Sequence, residues 1–145
     1  MLTGQREYLC RIKGKILKEE DTSYNPLAPG DRVVIKLNEK EKDTGMIISR
    51  LTRRNSFIRW NKKKQAPQTI AANLDGLLCI SSICSPPFRP RFIDRVLVSA
   101  AVSGIEAAVV LNKIDLEMDK STQERLLDYE KMGVTVFRVS VVKNE

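Results

Sequence analysis

Histidine is absent from the 145 residues. That excludes a Ser-His-Asp triad, a His-based general base and any histidine-ligated metal. Cysteine is scarce and odd in number, at Cys10, Cys79 and Cys84. Three scattered thiols do not read as a disulfide framework, and Cys79 with Cys84 alone cannot complete a tetrahedral zinc site. They are expected to be small buried apolar residues. No apolar run approaches the roughly 20 residues that cross a bilayer. The opening stretch Met1 to Tyr8 has no apolar signal core. The chain is therefore expected to be cytoplasmic and free of membrane contact; it is also expected to be a monomer. Also missing is any Gly-x4-Gly-Lys-Ser/Thr phosphate loop. Gly14-Lys15 is followed by Ile16 and opens no helix, so it is not one.

What is present is unevenly distributed. Residues 1–72 hold 16 Lys and Arg against 8 Asp and Glu, whereas residues 73–145 hold 9 against 10. The basic excess belongs to one module and points to an acidic partner, with nucleic acid foremost. The alternative is a solvated lysine-rich surface.

The first module, residues 1–72, reads as short strands. Tyr8, Cys10 and Ile12 alternate with Leu9, Arg11 and Lys13, and Lys15 to Lys18 continues after Gly14. A turn-rich loop from Glu19 to Gly30 leads to Asp31–Leu37, which is β-branched. Met46–Leu51, Ser56–Trp60 and Gln68–Ala72 complete the set. Several short strands without a helix predict a small closed barrel, since closure removes exposed edges.

The second module, residues 73–145, changes period. Leu77–Ile80 is a compact strand, and a proline-rich loop follows it. Arg91 to Ser103 predicts a helix, with Phe92, Val96 and Ala100 on one side and Ile93, Leu97 and Ala101 widening it. Gly104 caps its end. Ala107–Leu111 is wholly apolar, as expected of a strand covered on both faces. Ser121 and Glu124 have capping-box spacing and predict a helix to Met132, which Gly133 ends. Val134–Val139 is the next strand. Strand, helix, strand, helix, strand implies a parallel sheet with right-handed crossovers.

Asn112-Lys113-Ile114-Asp115 follows the buried strand, at the sheet edge where ligands bind in α/β folds. The pattern Asn-Lys-x-Asp suits guanine. A fixed carboxylate at Asp115 accepts two parallel bonds from guanine N1–H and N2–H. Adenine lacks that donor pair and would leave the carboxylate unpaired. The Lys113 stem can cover the base while its ammonium stays in water. Asn112 can reach the N7 side and tie loops together. Ser140 opens the loop from which a backbone N–H would meet guanine O6. Against this stands a plain polar turn leading into a helix. Only residues 73–111 of this module precede the motif, and they hold no phosphate loop. Either the motif is accidental, or the order of a GTPase domain is circularly permuted and this chain is a fragment of it.

The permuted order behind a basic barrel resembles the ribosome small subunit-dependent GTPase A family. The likeness runs through Cys10-Arg11-Ile12-Lys13-Gly14-Lys15, Pro29-Gly30-Asp31-Arg32-Val33 and Arg53-Arg54-Asn55-Ser56. It continues in Ile70-Ala71-Ala72-Asn73-Leu74-Asp75, Phe92-Ile93-Asp94-Arg95, Leu111 to Leu116, and Tyr129 before Gly133. The resemblance implies an OB-fold barrel followed by a partial α/β three-layer P-loop-type GTPase domain. It implies GTP hydrolysis stimulated by the small ribosomal subunit, contact with its 16S rRNA, Mg²⁺ at the phosphates and a further zinc-binding domain. Carried over, the GTP/GDP-binding residues are Asn112, Lys113, Ile114, Asp115 and Ser140. Mg²⁺ and Zn²⁺ are expected only in a full-length protein. The chain departs from the family in having Ser140-Val141 where Ser-Ala is usual, and in lacking an opening strand before Tyr8.

In the first module Arg53, Arg54, Arg59, Lys62, Lys63 and Lys64 are the candidate RNA contacts. Phe57 and Trp60 lie beside these cations, as on OB surfaces that hold nucleic acid. Core packing is the other reading of both aromatics. A basic binding module with an α/β docking tail is the rival to a GTPase.

Overall fold

The computed structural model describes residues 2–3, 6–12 and 25–144. It divides into two compact units, Met1–Leu74 and Asp75–Glu145. The expected strand Lys15–Lys18 and the first half of the loop Glu19 to Gly30 lie outside the described residues.

In the first unit, β1 (Leu2–Thr3) pairs antiparallel with β2 (Arg6–Glu7), so two short strands precede Tyr8 where none is expected from the sequence. A three-stranded sheet has the order β3-β5-β4, with β3 (Leu9–Ile12) parallel and β4 (Val33–Leu37) antiparallel to β5 (Thr44–Arg50). A separate hairpin joins β6 (Ser56–Asn61) to β7 (Ala66–Ala72), with a register shift at Phe57/Ile58. The β-rich reading is observed, but the closed barrel is not. Among the described residues no ladder links the hairpin to the three-stranded sheet. The side chains match this open arrangement: Leu9, Leu37 and Trp60 are exposed, and Ile47 and Ala72 are the buried apolar residues described in this unit. Among the described residues, little apolar surface turns inward.

Polar contacts hold the unit instead. Arg53 clasps Asp31 with Nε to Oδ1 at 2.7 Å and Nη2 to Oδ2 at 2.8 Å, and its Nη1 donates to Thr69 Oγ1 at 3.2 Å. Asn55 and Leu74 exchange two bonds, and the Arg54 amide donates to Asn73 Oδ1. Gly30, at φ +86°, lies against this junction. A Cβ there would stand 2.0 Å from the Ala72 carbonyl oxygen, so only glycine fits.

The second unit is a parallel sheet in the order β10-β9-β8, formed by β8 (Leu77–Ser82), β9 (Ala107–Asn112) and β10 (Thr135–Val139). The crossovers are α1 (Pro90–Val102) and α2 (Lys120–Lys131). Cys79, Ile93, Val109, Leu111, Leu126 and Tyr129 form one core. That core lies on one sheet face only. The alternate residues Leu78, Ile80 and Phe137 are exposed, so the apolar run of β9 does not signal two covered faces.

Two helix expectations are corrected. The buried stripe of α1 is Ile93, Val96, Leu97 and Ala100, at helical spacing, while Phe92 and Ala101 face outward. The cap of α2 is Asp119, not Ser121. Asp119 Oδ1 accepts from the Thr122 amide at 2.9 Å and from Ser121 Oγ at 2.6 Å. These bonds, led by that from Ser121, hold the Asp119 carboxyl down at about 2. A carboxylate at this position also meets the positive end of the helix dipole.

Candidate functional site

The carboxyl ends of the three parallel strands carry three loops, and the Asn-Lys-x-Asp residues lie among them. Asn112 ends β9. Its Oδ1 accepts the Lys113 amide at 2.7 Å and the Val141 amide at 3.3 Å, which ties the loop after β9 to the loop after β10. Lys113 has φ +68°, in the left-handed region, which turns the chain out of the strand. Ile114 donates its amide to Val139 O at 3.3 Å and packs against the core, so the variable position of the motif serves as its anchor.

Asp115 is fixed from one side. Ser140 Oγ donates to its Oδ1 at 2.6 Å, and Ser140 is fully buried. The Lys143 amide in turn donates to Ser140 Oγ at 3.2 Å. The Ser140 bond is the main cause holding the Asp115 carboxyl below its ordinary value. Partial burial opposes it, and the nearby Lys143 and Lys113 charges assist. The group is therefore a carboxylate at neutral pH, able to accept but not donate.

The Lys113 ammonium also has protein partners. It donates to the carbonyls of Cys84 at 2.8 Å and Ser85 at 2.6 Å, in the loop after β8. Sequence reasoning missed these partners because backbone carbonyls carry no side-chain signature. The proline-rich stretch after β8 was the available signal for a loop built to present them. Cys84 itself is exposed, contrary to the buried reading, whereas Cys79 is buried and its thiol is pushed up by desolvation. Asn112, Lys113, Asp115 and Ser140 are thus brought together, with Ile114 beneath them.

The basic residues of the first unit are not equivalent. Arg53 is turned inward, with 12% of its side chain exposed against 3% for Asp31, so its charge is spent within the unit. This sets Arg53 apart from the other candidate RNA contacts, since three of its five N–H groups serve Asp31 and Thr69. Arg54 is exposed but donates to Leu74 O at 2.8 Å. Arg59 leans on Gln68 across the β6–β7 hairpin. Lys62, Lys63 and Lys64 stand exposed in the turn, which Asn61 caps by accepting the Lys63 and Lys64 amides. Trp60 is 59% exposed and so is not core, and Phe57 is partly buried.

Residues 50–145, more than half of the chain, match the model of the RsgA GTPase family. The chain belongs to the RsgA GTPase family. Its relatives include the small ribosomal subunit biogenesis GTPase RsgA of Borrelia recurrentis, 38% identical over 131 residues, which covers 90% of this chain and 41% of that protein. The protein of that name from Flavobacterium johnsoniae is 36% identical, covering 94% of this chain and 43% of its own length. The chain thus spans about two fifths of the length of these RsgA relatives. Among solved structures, YloQ, titled a circularly permuted GTPase, is 26% identical with a TM-score of 0.56, over 90% of this chain and 42% of that one. YjeQ from Thermotoga maritima shares the fold, with a TM-score of 0.59 at 24% identity.

Proposed function

We propose that the second unit is the guanine-reading part of a GTP-binding protein acting in small ribosomal subunit biogenesis. The observation that carries this reading is the 2.6 Å bond from buried Ser140 to Asp115. It fixes one carboxylate oxygen and thereby aims the group, and a preset acceptor pair is what guanine N1–H and N2–H require. The long Val141-to-Asn112 bond leaves the Val141 amide able to turn toward guanine O6. The Lys113 stem, pinned at its tip, lies across the position of the base.

Phosphate chemistry has no residues here. Hydrolysis needs a phosphate loop, a metal and a positioned water, and no Gly-x4-Gly-Lys-Ser/Thr occurs in the chain. Among the described residues no group of three or more His, Cys, Asp or Glu could hold a metal, so no residue is assigned to Mg²⁺ or Zn²⁺. On this reading the chain by itself is expected not to turn over GTP. In a full-length protein GTP hydrolysis would be the activity, with the small subunit as partner. Among the described residues no helix is long and apolar enough to cross a membrane. A cytoplasmic site of action is part of the same reading.

The first unit is proposed to meet 16S rRNA through Lys62, Lys63 and Lys64, with Arg54 and Arg59 nearby in sequence. Arg53 is left out. The test of the guanine reading is Asp115→Asn in the purified chain. An amide accepts one guanine proton and donates toward the second carbonyl of xanthine. Titration with guanosine and xanthosine should show preference moving to xanthosine. Unchanged preference for guanosine would remove Asp115 as the base reader.

A further inference from the structure

We propose that Ser82 is a positioning residue for purine binding, acting through the loop that grips Lys113. The proposal rests on the guanine reading of Asp115 given above.

Ser82 is the last residue of β8 and stands opposite Asn112 in the parallel register. It is 7% exposed, and its hydroxyl points into the loop that follows. Oγ is 2.9 Å from Pro86 O and 3.3 Å from Cys84 O. A hydroxyl carries a single proton, so the shorter bond to Pro86 takes most of it and Cys84 shares the rest. The peptide segment between those two carbonyls is the one whose Cys84 and Ser85 oxygens receive the Lys113 ammonium. Ser82 therefore braces the receptor, and the receptor holds the lysine.

The brace matters because of where Lys113 sits. Its backbone is left-handed, outside both strand and helix, so no regular element directs its long side chain. The two carbonyls at the far end set the course of the stem. Asp115 is held separately, by Ser140 in the loop after β10. The site thus has two independent props. Ser140 aims the group that reads the edge of the base. Ser82 steadies the loop that stretches a methylene chain over its face.

Independent props give separable effects. The face contact is the same for any purine, while the edge contact counts hydrogen-bond donors. Inosine lacks the N2 amino group, so the guanosine-to-inosine affinity ratio reports Asp115 alone. Loss of the Ser82 hydroxyl should weaken both nucleosides in parallel and leave their ratio unchanged. A residue of merely structural importance would blur the ratio as well, because a loosened site also loses the aim of Asp115.

The experiment is an amide NMR titration of the isotopically labelled 145-residue chain with guanosine and with inosine. Wild type is compared with Ser82→Ala, Ser82→Thr and Ser140→Ala, and each spectrum also reports whether the second unit is folded. Ser82→Ala should weaken both nucleosides roughly three- to tenfold, the worth of one net hydrogen bond. Ser82→Thr, which keeps the hydroxyl, should restore most of that loss. Ser140→Ala should instead lower the guanosine-to-inosine ratio. Wild-type affinity in Ser82→Ala, a changed ratio in that variant, or no rescue by Ser82→Thr would each overturn the proposal. If wild type shows no guanosine-dependent shifts at Asn112 to Asp115, the guanine reading fails and the proposal falls with it. Shifts in wild type that Ser82→Ala matches would sink the proposal alone.

Discussion

The two units of this chain are nearly equal in length and are built on opposite terms. In Met1–Leu74 the described interior is Ile47, Ala72 and Thr69, and the organising contact is the Asp31–Arg53–Thr69 cluster. In Asp75–Glu145 a continuous apolar core includes Ile93, Val109, Leu111, Leu126 and Tyr129, all fully buried. In the second unit the candidate site lies at the strand ends, while a separate polar cluster of Asp94, Arg125 and Tyr129 joins α1 to α2. The comparison shows what each design permits. An apolar core is non-directional and tolerant, so it can carry loops whose precise polar wiring serves a ligand. A polar clasp spends its directional groups on holding the fold.

The contrast can be broken first in the core. Leu111→Ala removes a fully buried side chain from β9 and should cost the second unit about 2–5 kcal/mol. Amide hydrogen exchange, read unit by unit, should show this loss in residues 75–144 and little change in residues 25–74. Equal loss in both would show that they unfold as one.

Arg53→Met should cost the first unit nearly as much, about 3 kcal/mol, by leaving the Asp31 carboxylate buried without its partner. The same exchange measurement should now localise the damage to residues 25–74. Acid sharpens this further. Burial alone would raise the Asp31 carboxyl, but the Arg53 bonds, the Ala28 amide and the Arg50 charge outweigh it and hold the value below 3.8. A depressed folded value means stability that is present above the ordinary carboxylate range. That stability is lost as pH falls below about 4 and through the folded value. The first unit should therefore lose this increment in acid, and Arg53→Met should abolish the loss. An acid response unchanged in Arg53→Met would assign it elsewhere.

The smallest effect on stability belongs to the surface. Lys62, Lys63 and Lys64 replaced together by alanine should leave the melting temperature of the first unit nearly unchanged. The same variant should bind small ribosomal subunits more weakly and with a flatter salt dependence, since fewer counterions are released. Wild-type affinity across a salt titration would make this turn a solvated one.

Much of the second unit was legible because its periods are unambiguous. The apolar strands, the two helices and Gly104 and Gly133 at their ends follow from spacing. Where the reading failed, two candidates met the same rule. Ser121 and Asp119 can both cap a helix, and position relative to the Thr122 amide decides. Phe92 outranks Val96 in size, yet helix phase sends Phe92 outward. In the first unit the segments around Asp31, Arg53, Asn55 and Asn73 were visible as motifs. Their mutual contacts were not, because separations of 19 to 22 residues leave no periodic trace. Two adjacent arginines look alike until folding turns one inward. Of the site, Asn112 to Asp115 and Ser140 were readable from residue type and strand context. The anchors at Cys84 and Ser85 were not, since carbonyl oxygens belong to every residue.

The central claim, that the ends of these three strands form a guanine-reading site without any phosphate loop, is tested most directly by one titration. Guanosine and adenosine are added separately to the labelled chain and the amide spectrum is followed. Guanosine should move the amides of Asn112 to Asp115 and of Ser140 and Val141, while adenosine leaves them in place. Equal shifts with both nucleosides, or none with guanosine, would contradict it.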